Sequence, residues 1–259
     1  MNKMLIAWLL ASGLFIGMLI LLEAGRRLGI QRRARDPEGA QTGTGVVDGA
    51  VFALVGLLIA FTFSGAASRF EQRRDLIIEE TNAIGTAWLR LDLLPTSTQP
   101  VIREHFKQYV DARLEVYRKL PDMQAALAEL TKATGLQEQI WTQAIAAGQT
   151  DGAPPSATML LLPALNAMFD IMTTRTMATQ MHPPMAIYGF LVALALASAL
   201  LAGYSMAASK TRSWLHILGF TLVLAAAVYI IIDLEYPRLG LIRVDAFDQA
   251  LVDLRASMK

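Results

Sequence analysis

The sequence predicts an all-α membrane protein: four transmembrane helices with a helical extramembrane domain inserted between helices 2 and 3. Three observations lead there. At 259 residues, 54% hydrophobic and a mean hydropathy of +0.41, the chain is too apolar for an ordinary soluble domain, while 17% charged residues leave room for a water-facing part. Four stretches come close to the roughly 20 apolar residues that cross a bilayer. Between the second and third of them, apolar residues return every three or four positions, the period of amphipathic helices.

Composition also removes several function classes. A formal net charge of +1 gives no overall attraction for nucleic acid. The absence of cysteine rules out disulfides, thiolate catalysis and cysteine-based zinc sites. His105, His182 and His216 are too widely separated to form a metal-binding spacing.

The first apolar stretch, residues 4–22, is longer than the seven to fifteen residues of a secretory signal core. It runs into Glu23 and arginines without a small-residue cleavage site, so it reads as a retained membrane helix. Residues 23–45 then read as a connector, basic at Arg26, Arg27, Arg32, Arg33 and Arg35 and flexible from Pro37 through Gly39, Gly43 and Gly45. Short loops this rich in arginine stay cytoplasmic.

Residues 46–94 are the centre of the pattern. An apolar half continues without proline into a charged one, which predicts a single long helix that leaves the membrane. Gly49, Ala53, Gly56, Ala60, Ser64 and Ala67 place minimal side chains on one face, suited to close helix packing or to an aqueous path. In the charged half, Arg69, Arg73 and Arg74 stand at i,i+3 and i,i+4 spacings from Glu71, Asp75, Glu79 and Glu80, which predicts ion pairs along the helix. Phe70, Ile77, Ile84, Trp88 and Leu91 form a narrow seam for helix packing, interrupted by Thr81 and Asn82.

Three further extramembrane helices follow. Residues 99–120 present Val101, Phe106, Val110, Leu114 and Tyr117 on one face. Residues 122–147 start at an Asp122 N-cap, with Gly135 as a point for a kink or division, and a loop covers 148–156. Residues 157–180 end before Pro183 and Pro184. Spans at 185–206 and 215–232 come next, joined by a turn carrying Lys210 and Arg212. The resulting division is 1–65 for the first two spans, 66–183 for the helical domain, 184–233 for the last two spans and 234–259 for an acidic turn and tail. Basic connectors on the cytoplasmic side of the cell inner membrane would leave the termini and the helical domain periplasmic.

After the fourth span, Asp233 and Glu235 precede a turn set by Pro237 and Gly240, and Asp245, Asp248 and Asp253 follow. Carboxylates on a turn suit a hard cation such as calcium, although Asp233, Glu235 and Asp245 supply only part of its six to eight oxygens. Pairing of Asp233 and Glu235 with Arg238 and Arg243 is the alternative.

The blocks GLLIAFTFSGAASRFEQRRDLIIEETNAIGTAWLRLDLLP, residues 56–95, and DLEYPRLGLIRVD, residues 233–245, resemble signatures of the bacterial bestrophin-like integral membrane family. That family has no established biochemical role. It is distantly similar to bestrophin anion channels, which are pentamers of four-span subunits with the second span at the pore. Those channels keep their helical domain in the cytosol, opposite to the orientation read from the connectors. They also carry a Pro-Phe-Gly turn after the fourth span, where this chain has Pro237-Arg238-Leu239-Gly240.

The resemblance implies a homo-oligomeric ion channel, conducting anions, whose second span lines the pore. Phe52, Gly56, Ala60, Phe63, Ser64 and Phe70 are then the pore-lining or helix-packing residues, with Phe61 on a different face. Its partners are the lipid bilayer, further copies of the chain, a pentamer by analogy, and inorganic ions. Calcium is the one cofactor in view. A non-conducting scaffold or sensor whose helical domain binds a partner remains the alternative from another class, favoured by the absence of charge at the span centres. Glu79, Glu80 and His105 lack any accompanying nucleophile motif or phosphate loop, so catalysis is not expected.

Overall fold

No proline interrupts residues 46–94, and the backbone there is one helix, α2 (Thr44–Arg90), closed by a 3-10 turn at Leu91–Leu93. The computed structural model describes residues 3–36, 44–209 and 211–259, and these contain helices, turns and loops but no strand. The remaining helices are α1 (Lys3–Arg35), α3 (Gln99–Arg118), α4 (Met123–Gly148), α5 (Pro155–Ala178), α6 (Met185–Met206), α7 (Trp214–Glu235) and α8 (Gln249–Ser257). A second 3-10 turn, Asp245–Asp248, leads into α8.

The basic connector differs from the sequence expectation. Residues 23–35 are not a loop but the last turns of α1. Arginine, glutamine and alanine are good helix formers, and nothing before Pro37 stops the helix. Arg32, Arg33 and Arg35 also complement the negative end of its dipole. The expected flexible stretch at Pro37, Gly39 and Gly43, and the turn residue Lys210, lie outside the described residues.

Among the described residues, five helices, α1, α2, α5, α6 and α7, are long and apolar enough to cross a membrane by length and composition. The sequence reading counted four and left α5 among the water-facing helices. α5 reaches the threshold because it supplies a broad apolar face, Leu161, Leu165, Met168 and Met172, to a helical core.

The chain forms two compact units. The first comprises Met1–Arg69 and His182–Tyr236. In it α1 buries Met4, Ala7, Ala11, Leu14, Met18 and Leu22, alternating three and four residues apart up to Met18, against α6 and α7. α6 answers with Leu191, Ala195, Ser198, Ala199 and Gly203. The two backbones approach so closely that a Cβ on Gly25 would fall 2.0 Å from the Leu200 carbonyl oxygen, and one on Gly203 2.0 Å from that of Leu22. Trp8 packs on Tyr229 of α7 with ring centroids 4.5 Å apart.

The second unit comprises Phe70–Met181 and Pro237–Lys259. Its core joins Ile84, Trp88 and Leu91 to Phe106 and Tyr109 of α3, Leu136 and Ile140 of α4, Leu165 and Met168 of α5, and Leu251 of α8. The α3 face is rotated from the expected one. Val101 is exposed, while Ile102, Tyr109 and Arg113 are buried, because the face follows 102, 106, 109, 110 and 113. Asp122 caps α4 by accepting hydrogen bonds from the amides of Gln124 and Ala125, both at 3.1 Å. α4 continues through Gly135 without division.

The close approach at Gly203 makes Gly203→Ala an overpacking substitution, expected to destabilise the protein by about 1–3 kcal/mol. Gly135→Ala, whose Cβ meets nothing within 4 Å, is expected to stabilise it by up to about 1 kcal/mol through helix propensity. Thermal unfolding of the detergent-purified protein measures both, and an unchanged midpoint for Gly203→Ala would show that the two backbones do not meet there.

Candidate functional site

The first half of α2 has two unlike faces. Asp48, Val55 and Ala66, separated by seven and eleven residues, are buried against the chain's own helices. On the other side Gly49, Ala53, Gly56, Ala60 and Ser64 are exposed, and a Cβ built on Gly49 or Gly56 would meet nothing within 4 Å. The small-residue stripe read from the sequence is therefore the face that α2 does not use within its own unit. Phe61 is 67% exposed and Phe63 45%, whereas Phe52 is half-buried with its ring edge-on to Phe220 of α7, centroids 6.1 Å apart. The three aromatics thus do not share one environment. Phe70 is half-buried and belongs to the second unit.

The expected ladder of ion pairs along α2 does not form. Arg69 instead donates to Glu235 of α7, from Nε to Oε1 at 2.9 Å. Arg73 reaches the backbone carbonyls of Ala178 and Met181 at 3.2 and 2.9 Å, and the Arg74 guanidinium lies 4.4 Å from the centre of the Phe247 ring. Fixed acceptors and an aromatic face hold these arginines better than mobile neighbours on a solvated helix surface. Glu71, Asp75 and Glu79 are exposed and, among the described residues, take part in no ion pair.

Glu80 turns inward. Its carboxylate is fully buried and accepts from Nε and Nη2 of Arg113 and from Nη1 of Arg175. Arg175 continues to Asp248, 3.0 Å away, and Arg238 binds Asp248 and Asp245. The Tyr117 ring has the Arg175 and Arg238 guanidiniums each 4.1 Å from its centre. Burial opposes ionisation of Glu80, but Arg113 and Arg175 outweigh it and bring its carboxyl from 4.5 down to about 2. Arg113 and Arg175 stand at core-facing positions of their helices, a charge in apolar phase that a reading of helix faces could have flagged.

The carboxylates after α7 separate into two environments. Asp233 and Glu235 are buried in the first unit, where Glu235 also lies 3.2 Å from Nδ1 of His182. The His182 ring packs on Tyr236 at 4.7 Å. Asp245 belongs to the second unit and accepts from Arg238 at 3.2 Å and Arg243 at 2.5 Å. Arg238 and Arg243 thus hold Asp245, and Arg69 and His182 hold Glu235. Among the described residues, no three histidine or carboxylate side chains gather so as to hold a metal ion.

A depressed carboxyl contributes stability that is complete above its ordinary value and is lost as the group protonates in the fold. For Glu80 this places the loss between pH 4.5 and about 2. Glu80→Gln, which leaves Arg113 without its counter-ion and Arg175 with Asp248 alone, is expected to cost about 3–5 kcal/mol and to flatten that acid limb. Chemical unfolding followed against pH checks both, and an equally steep limb in the variant would assign it to other groups.

Comparison with known proteins supplies a family and a fold. The model of the bestrophin-like domain matches residues 13–246. No curated protein matches the chain. Solved structures of a bacterial bestrophin homologue from Klebsiella pneumoniae, each with a single substitution, superpose well. One has a TM-score of 0.68 at 13% identity, covering 94% of this chain and 99% of the other. A second has a TM-score of 0.64 at 15% identity, covering 93% and 98%.

Proposed function

Because the chain belongs to the bestrophin-like family, we propose that it is a homo-oligomeric ion channel of the cell inner membrane, with the first half of α2 lining the conduction path. The observation that carries this reading is the outward small-residue face of α2, whose opposite face already makes the chain's own contacts. A stripe of glycine, alanine and serine leaves room at an axis shared by several copies, and Phe63 beside Gly56 and Ala60 gives an apolar constriction that can gate by dewetting. The four spans are then α1, the first half of α2, α6 and α7. α5 stays outside the membrane, since its apolar face serves a helical core and its Arg175 serves Glu80. A pentamer follows by analogy with the family.

By family resemblance the ion is an anion. One observation favours the opposite sign. Glu71, Asp75 and Glu79 are exposed further along the same helix and, among the described residues, have no arginine to neutralise them, so a path along α2 would attract cations. A calcium role for Asp233, Glu235 and Asp245 would require Arg69, Arg238 and Arg243 to give up their carboxylates. Conduction is accordingly expected without calcium.

Purified protein in planar bilayers under a potassium chloride gradient tests the reading. A calcium-independent current is expected, and its reversal potential reports the sign of the ion. Replacing Glu71, Asp75 and Glu79 by their amides is expected to move the reversal potential towards that of chloride. No current from assembled oligomer at any voltage, with or without calcium, would sink the channel and leave the scaffold or sensor reading.

A further inference from the structure

Among the described residues, a polar contact near each end ties the first half of α2 to its own unit. Asp48 is only 7% exposed, and its Oδ2 accepts a hydrogen bond from Oγ of Ser205 on α6 at 2.5 Å. Arg69 donates to Glu235 of α7 at 2.9 Å, with His182 on the other carboxylate oxygen. Asp48 and Arg69 are about 31 Å apart along the helix at 1.5 Å per residue. That matches the roughly 30 Å hydrocarbon core of a bilayer, so each contact falls near one membrane boundary.

Between these two points the inner face is apolar. Val55 and Ala66 are buried, Phe52 meets Phe220, and the Thr62 hydroxyl returns to the Leu58 carbonyl of its own helix. Apolar packing depends weakly on direction, and a shift of one residue in register turns the helix by about 100°. Hydrogen bonds and ion pairs depend strongly on direction. Burying a carboxylate without a hydrogen-bond partner is also costly, which ties Asp48 to the Ser205 hydroxyl.

We propose that Asp48 and Ser205 form a positioning pair. With Arg69 and Glu235 at the far end, they set the rotation of α2 so that Gly56, Ala60 and Ser64 face away from the chain's own helices. The functional meaning of this orientation rests on the channel reading. The orientation itself does not, and it can be measured without any current.

The chain has no cysteine, so single thiols can be introduced cleanly. Full-length protein in proteoliposomes carries either Ala60→Cys on the outward face or Val55→Cys on the inward face, and reacts with the small uncharged reagent methyl methanethiosulfonate. The thiol at position 60 is expected to react about tenfold faster, as an exposed site against one opened only by local fluctuation. Asp48→Ala or Ser205→Ala is expected to lower that ratio about threefold or more, while Asp48→Asn and Ser205→Thr, which keep an acceptor and a hydroxyl, hold it within about twofold.

An unchanged ratio in both alanine variants overturns the proposal. Ala66→Cys, fully buried near the Arg69 end, reports whether the loss is local: it is expected to stay protected, and its exposure would overturn the pair as a local device. A charged methanethiosulfonate tests the channel reading separately. If it never reaches position 60 while the uncharged reagent does, the conduction path fails and the positioning result stands on its own.

Discussion

A peptide group in hydrocarbon has no water to bond, so every N–H and C=O of an apolar segment has to be satisfied within that segment. Helices meet that demand, and α1, α6, α7 and the first half of α2 are apolar and long enough to do so. Lipid then offers little hydrophobic drive between them, and association relies on close packing. α1 and α6 provide it by bringing Gly25 to the backbone at Leu200 and Gly203 to that at Leu22. α2 carries a comparable run of small residues but makes its in-chain contacts with another face. Two similar stripes thus have different uses, one spent within the chain and one left outward.

In the second unit the logic changes. Apolar faces drive association, and the scarce resource is a partner for buried charge. Glu80 receives two arginines from different helices, and Asp248 links one of them to Arg238. Arg69, Arg73 and Arg74 could each have paired with a neighbour on α2, yet the fold gives them a buried carboxylate, two carbonyls and an aromatic ring. Removing those cations from the helix surface is what leaves Glu71, Asp75 and Glu79 with uncompensated charge.

Features governed by local chemistry were readable from the sequence. Residues 185–206 coincide with α6, the long helix through 46–90 is continuous, and Asp122 caps α4 as its side chain dictates. The errors arose where distant partners decide. The α3 face was misread at Val101 because Arg113, a charge, occupies a core position that only Glu80 makes tolerable, 33 residues earlier. The basic end of α1 was read as loop because arginines were taken as a topology signal, although they are good helix formers. α5, read as an extramembrane helix, is also long and apolar enough to cross a membrane, and hydropathy alone does not distinguish a core-forming helix from a span. The small-residue face of α2 was legible as a pattern, but its outward direction shows only in the burial of Asp48 and Val55 on another side of the helix.

The closeness of Gly25 and Gly203 also has a consequence for how the protein is made. The two glycines are separated by most of the chain, and synthesis proceeds at about 5–20 residues per second. α1 therefore enters the bilayer roughly 10–35 s before the α6 backbone it will touch exists. During that interval its glycine-lined groove has only lipid, or another newly made α1, to lie against. A nascent first helix must wait, unpaired and correctly oriented, for a partner that arrives after the whole helical unit of α3 to α5 has left the ribosome.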